Sequence, residues 1–235
     1  MIYYFSGTGN SEYVAKELSN SLNDSLQSIE SAHTLKQDQC IGIITPVYFF
    51  ELPAIVEDFL QRLTVSPETY LYLVVTYGGK PGNISKQANK IMKKKGIGFY
   101  AMYGVKMVDT YIPMYDSSKN KIIESHIQSQ IQTIASLISQ RRIGDYLKGT
   151  LPYFINKAFK MYYKQARNIS HLSIEDTCTH CGLCAKECPQ QAIECKDQVT
   201  FIKDECMMCL RCLHHCPVNA IRYDHKDKGQ YRRTQ

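Results

Sequence analysis

The sequence predicts an α/β protein, with a doubly wound five-stranded parallel sheet first and a small, cysteine-rich α+β unit after it. Three observations carry this reading. Short, nearly continuous apolar runs alternate with helical patterns up to about residue 140, a loop of glycine and small hydroxyl residues stands directly behind the first run, and nine of the ten cysteines lie between Cys178 and Cys216. Strands apolar along both faces are what a parallel sheet covered by helices on two sides requires.

Met1 to Phe5 reads as the first strand, and Ser11 to Leu22 as a helix, with Val14, Ala15, Leu18 and Leu22 at helical spacing. Leu26 to Glu30 is expected as a short second strand. Cys40 to Thr45 reads as a buried strand and Pro53 to Leu63 as a helix with proline near its start. Tyr70 to Thr76 is a further buried strand, and Asn83 to Lys95 a helix stopped by Gly96. Gly98 to Val108 is expected as the fifth strand, succeeded by a long helix from Lys119 to Gln140. Residues 141 to 170 place Leu147, Leu151, Phe154, Ile155, Phe159, Tyr162 and Tyr163 at amphipathic spacing, a helical bridge to the cysteine-rich unit.

With 235 residues, one medium and one small domain are expected. The division falls at residues 1–145, a basic bridge at 146–169, and a cysteine-rich domain at 170–235. Hydrophobic residues make up 44% and charged residues 21%. The longest apolar runs, such as Tyr70 to Tyr77, fall short of the roughly 18 to 20 residues a membrane span needs. The first strand begins at residue 2, which leaves no room for a signal segment, so a soluble cytoplasmic protein is expected. Charge is uneven. Residues 1 to 140 hold 12 basic and 12 acidic side chains, residues 141 to 168 hold 7 and 1, and the rest 9 and 9, so the excess of +6 resides in the bridge. No recognition motif accompanies that stretch, which argues for a solvated helix face and against nucleic acid.

The opening loop, Ser6-Gly-Thr-Gly-Asn-Ser11, has the composition of a phosphate site. A Walker loop would end in Gly-Lys-Ser/Thr, whereas the first lysine here is Lys16. A dinucleotide loop would carry a third glycine where Glu12 stands. What fits is a loop whose backbone N–H groups and hydroxyls surround a terminal phosphate at a helix N-terminus with no cation required. At every defined position Ser6, Gly7, Thr8, Gly9, Asn10 and Ser11 resemble the phosphate loop of the flavodoxin family, Ser/Thr-x-Thr-Gly-x-Thr/Ser. That resemblance implies FMN and a flavodoxin-like fold over about residues 1 to 145. It implies in addition that the loops after the third and fourth strands hold the isoalloxazine ring. Tyr48 or Phe49 would lie against the ring, with the backbone of Pro46 and Val47 nearby. In Thr76-Tyr77-Gly78-Gly79 the glycines would let backbone amides reach its polar edge.

The cysteine spacing is specific. Cys178-x2-Cys181-x2-Cys184-x3-Cys188-Pro189 recurs as Cys206-x2-Cys209-x2-Cys212-x3-Cys216-Pro217, an offset of 28 residues. Such clustering in a reducing compartment points to metal rather than disulfides. Two four-cysteine zinc sites would share the C-x2-C spacing, but they do not ask twice for a third cysteine at x2 and Cys-Pro at x3. The pattern resembles the bacterial two-cluster ferredoxins, in which the fourth cysteine of each run ligates the other cluster. By that resemblance Cys178, Cys181, Cys184 and Cys216 hold one [4Fe-4S] cluster, and Cys206, Cys209, Cys212 and Cys188 the other. Cys195 and Cys40 match no ligand position and read as structural thiols. His180, His214 and His215 read as exposed loop residues.

Together the two halves resemble bacterial proteins in which a flavodoxin-like domain is fused to a two-cluster ferredoxin. The resemblance implies electron carriage between the clusters and FMN, with redox proteins as partners. The basic bridge suggests that such a partner presents an acidic docking surface. The alternative is a flavin-dependent oxidoreductase that reduces a small molecule with electrons fed through the clusters, in a pocket lined by Tyr48, Phe49, Phe50, Tyr77, Tyr111 and Tyr115. No catalytic constellation stands within residues 1 to 140, which favours carriage.

Overall fold

A computed structural model of the chain describes residues 1–32, 38–147, 153–202, 206–231 and 233, with the side chains of 153–157 and 160 outside that description. The first strand, β1 (Ile2–Tyr4), leads through the loop to helix α1 (Asn10–Leu22) and strand β2 (Leu26–Ser28). Then come β3 (Cys40–Pro46), α2 (Ala54–Arg62), β4 (Tyr70–Tyr77), α3 (Ile84–Lys93) and β5 (Ala101–Lys106). The strands are parallel, in the order β2-β1-β3-β4-β5. This is the flavodoxin-like order, which reverses direction between β1 and β3 and so opens a crevice beyond their carboxyl ends.

Alternation along the strands feeds two cores. Tyr3, Phe5, Ile41, Ile43, Leu71, Leu73 and Val75 pack on one face with Val56, Phe59 and Leu60 of α2 and Ile84 and Met92 of α3. Ile2, Ile44, Tyr72, Val74, Tyr103 and Val105 pack on the other with Val14 and Leu18 of α1. Burial on both faces explains why the strand sequences are apolar without a break.

Two expectations change. The sheet has a sixth strand, β6 (Gly144–Asp145), parallel to β5. Its Gly144 N–H donates to the Tyr100 carbonyl at 2.9 Å, and the Tyr146 N–H to Met102 at 2.8 Å. Gly-Asp carries no strand propensity of its own. It is extended because the chain returns along the open edge of β5, where unpaired backbone groups wait. The long helix is broken into α4 (Asn120–Glu124) and α5 (Ile127–Ser139). At the break the Ser125 hydroxyl donates to the Ile122 carbonyl at 2.8 Å, a bond that competes with the helical ladder. Ile127, Ile131, Ile134 and Ile138 of α5 then cover the second core.

The bridge contains helix α6 (Tyr153–Ala166). Beyond it the cysteine-rich segment is a structural repeat. Strand β7 (Leu172–Ile174) pairs antiparallel with the last strand, while α7 (Leu183–Lys186) precedes the hairpin of β8 (Ile193–Cys195) and β9 (Val199–Phe201). Helix α8 (Arg211–His215) and strand β10 (Ile221–Tyr223) stand 28 positions after α7 and β8. The backbone repeats as well. Left-handed residues occur at His180 and Met208 (φ 54° and 53°), at Gly182 and Leu210 (72° and 57°) and at Gln191 and Asn219 (49° and 51°). Left-handed Leu and Met are strained, and such strain persists only where the surroundings over-determine the turn.

Candidate functional site

The loop after β1 is shaped by two glycines. Gly9 has φ 92°, a conformation that side chains rarely adopt, and from it the chain enters α1. Gly7 lies where a Cβ would overlap the Tyr48 hydroxyl and come within 2.9 Å of the Cys209 carbonyl oxygen. Around them the Ser6 hydroxyl accepts from the Gly9 N–H at 3.1 Å, Ser11 bonds Thr76 at 2.7 Å, and Thr8 bonds Thr110 at 3.1 Å. Asn10 donates to the Val108 carbonyl at 3.0 Å, and its buried Oδ1 has no partner among the described residues. The first-turn amides of α1 lack intrahelical acceptors by construction and carry the positive end of the helix dipole.

These residues border a cavity of about 330 Å³. Of the fourteen positions the sequence singles out for a flavin, thirteen line it: Ser6, Gly7, Thr8, Asn10 and Ser11, then Pro46, Val47, Tyr48 and Phe49, then Thr76, Tyr77, Gly78 and Gly79. Gly9 is the remaining one, at the N-cap. Phe50 and Tyr111 also line the cavity, whereas Tyr115 packs with Val108 and Tyr231 instead. An anion cradle at one end and aromatic, glycine-edged walls at the other fit a phosphate joined to a flat ring system.

Three parts of the wall carried no sequence signal. The loop after β5 contributes Val108, Asp109 and Thr110, and burial raises the Asp109 carboxyl above its ordinary range. Helix α6 contributes Phe159 and Tyr162 as a roof. The second cysteine run contributes Met208, Cys209 and Leu210.

The roof explains a strained turn. Tyr48 and Glu51 exchange backbone hydrogen bonds of 3.0 and 2.9 Å across Phe49 and Phe50, both with positive φ (50° and 67°). Glycine or asparagine is the usual occupant of such a turn. Aromatic contacts offset the strain: Phe49 stacks on Tyr163 at 4.6 Å, and Phe50 meets Phe159 edge-on at 4.4 Å. Tyr48 lies inward, edge-on to Phe5 at 6.4 Å, and burial holds its phenol well above the usual range.

The cysteine-rich segment is anchored at several points. Met207 is buried in the same core as Phe5 and Leu73, and Tyr163 donates to its carbonyl at 3.0 Å. Arg211 donates to the Ser6 carbonyl at 2.6 Å and Gly7 at 3.4 Å, grips Glu30 at 2.5 and 2.8 Å, and lies 5.7 Å from the Phe5 ring centre. Burial opposes its charge, but the Glu30 carboxylate outweighs this and holds the guanidinium above its ordinary range. His214 is fully buried, contrary to the exposed position expected from sequence. Its Nδ1 accepts from the Tyr231 N–H at 3.0 Å, which leaves Nε2 to donate to the Thr110 carbonyl at 2.8 Å. Burial lowers its pKa to about 4, so the imidazole is a neutral strut. His215 is half-exposed and pairs with Glu187 at 2.7 Å, while His180 is exposed.

The thiols suit a cluster. Backbone N–H groups donate to sulfur at matching points of the repeat, Ala192 to Cys188 at 3.3 Å and Ala220 to Cys216 at 3.2 Å, with Met208 to Cys206 at 3.2 Å. Such bonds stabilise thiolate. Burial pushes the Cys209 thiol up to about 12 and Cys212 well above its usual range. A thiolate there is costly unless bonded to cationic metal. Cys195 lies beside the first run, within 3.5 Å of the His180 carbonyl, and Cys40 begins β3 half-buried.

A family model described as a 4Fe-4S dicluster domain matches residues 177–220. No curated protein is similar to the chain. Among solved structures, the two-electron reduced flavodoxin of Megasphaera elsdenii is similar at 18% identity and TM-score 0.38, over 57% of this chain and 96% of its own. A putative flavoprotein from Bacteroides uniformis shares 14% identity at TM-score 0.38, over 55% and 96%. Rubredoxin oxygen:oxidoreductase from Desulfovibrio gigas shares 16% at TM-score 0.40, over 60% of this chain, which spans 36% of the length of that one. The chain's own strand order gives a sheet of flavodoxin-like topology, and that sheet is followed by a segment that matches a 4Fe-4S dicluster domain.

Proposed function

We propose that the chain is an electron-transfer protein that carries FMN in the strand-end cavity and two [4Fe-4S] clusters in the cysteine-rich segment, and that passes electrons between them. In this reading residues 1–145 bind FMN, 146–169 form the bridge, and 170–235 hold the clusters. Flavin exchanges electrons singly or in pairs and each cluster singly, so the fusion couples one-electron to two-electron chemistry. The observation that carries the reading is the position of Cys209. This proposed ligand lines the same cavity as Gly7 and Tyr48 of the proposed flavin site.

The protein's own groups have assigned tasks. The loop Ser6 to Ser11 holds the phosphate, and the Asn10 Oδ1 is free to accept from a ligand hydroxyl. Tyr48, Phe49, Tyr77 and the backbone of Pro46, Val47, Gly78 and Gly79 enclose the ring, with Phe159 and Tyr162 above it. Cys206, Cys209, Cys212 and Cys188 hold the cluster beside the cavity, and Cys178, Cys181, Cys184 and Cys216 the farther one. Cys181 is exposed, which makes the farther cluster the point of exchange with a partner protein. The roof over the cavity favours carriage over reduction of a free substrate.

The test is composition. Protein purified without oxygen should release about one FMN per chain on denaturation and contain about eight iron atoms, as two [4Fe-4S] clusters require. About eight irons with no flavin would reduce the protein to a ferredoxin on a flavodoxin-shaped scaffold.

A further inference from the structure

Arg211 belongs to the second cysteine run, between Cys209 and Cys212, yet its side chain works on the opening loop. It is 13% exposed, donates to the carbonyls of Ser6 and Gly7, and is itself fixed by Glu30 and by the Glu187 carbonyl at 2.8 Å. In a trans peptide the N–H points opposite to the C=O. Holding these two carbonyls therefore turns the N–H groups of Gly7 and Thr8 away from Arg211, and both residues line the cavity. The guanidinium also polarises the same two peptides so that their N–H ends are more positive. We infer that Arg211 is a positioning residue that sets the phosphate loop in its anion-binding form, and that flavin retention therefore depends on the second cysteine run being wrapped around its cluster.

This rests on the FMN reading above and deepens it. The loop needs no cation in contact with phosphate, but its peptides must be oriented, and here the orientation comes from a residue more than 200 positions away. The strained left-handed turns at Met208 and Leu210 stand on either side of Cys209, a proposed cluster ligand, and strain of this kind persists only where the surroundings over-determine it. A cluster lost to oxygen would free the turn, withdraw Arg211 and release the flavin, so the protein would stop accepting electrons it could no longer relay.

The experiment titrates FMN and, separately, riboflavin into flavin-stripped, cluster-loaded full chain, read by quenching of flavin fluorescence. Arg211→Gln should weaken FMN by about tenfold or more, the scale of a lost charge-assisted hydrogen bond, and riboflavin far less, since only FMN carries the phosphate. Glu30→Gln, which removes the ion pair but leaves the guanidinium held by the Glu187 carbonyl, should shift FMN in the same direction by less. Chelating the iron from wild-type protein should reproduce the loss, with far-UV circular dichroism showing the sheet intact. Equal weakening of FMN and riboflavin, or FMN affinity unchanged by Arg211→Gln or by iron removal, would overturn the inference and leave the FMN reading standing. Cluster-loaded wild type that binds no FMN would overturn both.

Discussion

The backbone of Cys209 lies so close to Gly7 that a methyl group on Gly7 would sit 2.9 Å from the Cys209 carbonyl oxygen and overlap the Tyr48 hydroxyl. Gly7→Ala must therefore push the second cysteine run or Tyr48 outward. Overpacking of this kind costs about 1–3 kcal/mol, to be read as a lower urea midpoint. Gly79→Ala is the matched control, because among the described residues no atom beyond its chain neighbours lies within 4 Å of the added methyl, and it should change stability by less than about 0.5 kcal/mol.

The assignment of ligands predicts iron content. Serine at Cys206 or Cys212 should lower iron from about eight to about four atoms per chain, one cluster's worth. Serine at Cys195 or Cys40 should leave it unchanged. Iron loss in the Cys195 variant equal to that in the Cys206 variant would require a different ligand set.

His214→Leu removes both ends of a buried strut, and leaves the Tyr231 N–H and Thr110 carbonyl without their partner. Two unsatisfied buried groups cost about 2–6 kcal/mol, measurable by chemical denaturation of cluster-loaded protein. His214→Gln, with one donor and one acceptor, should recover part of the loss.

Asp109 predicts a pH dependence. Desolvation raises its folded pKa above the ordinary carboxylate range, so the folded state binds the proton more tightly than the unfolded one. Stability from this group is complete below the unfolded pKa and declines as pH rises through the raised folded value. Asp109→Asn keeps the acceptor for the Tyr111 N–H, now 3.1 Å from Oδ1, and removes the charge. In flavin-free protein the variant should melt higher than wild type at neutral pH and converge with it toward about pH 4. Equal melting temperatures across that range would mean a solvated carboxylate.

If a redox protein docks on the basic stretch of residues 141 to 168 through acidic groups, their exchange should be salt-sensitive. Raising salt should slow electron transfer by lowering the association rate. A rate indifferent to salt would remove charge steering from the bridge.

Much of the fold was legible because it is locally encoded. The apolar run at Tyr70 to Tyr77 announces a strand buried on both faces, and Gly96 marks the end of α3. Strand β6 was not legible, since Gly144 and Asp145 are extended only through pairing with β5. His214 read as a loop residue because nothing near it in sequence shows that Thr110 and Tyr231 meet over it. The same holds for the bridge, where spacing indicates an amphipathic helix but not that Phe159 and Tyr163 seat on Phe50 and Phe49.

By itself the sequence determined the chemistry available: eight cysteines at cluster spacing, repeated after 28 residues, and a hydroxyl-glycine loop behind the first strand. Spacing of a few residues decides what can wrap a metal cluster or cradle a phosphate, so it survives without coordinates. Only the tertiary structure decided that Cys209 forms a wall of the cavity and that Arg211 holds the Ser6 and Gly7 carbonyls. Those contacts join residues about 200 positions apart, and no periodicity, propensity or charge pattern along the chain records which distant surfaces burial will bring together.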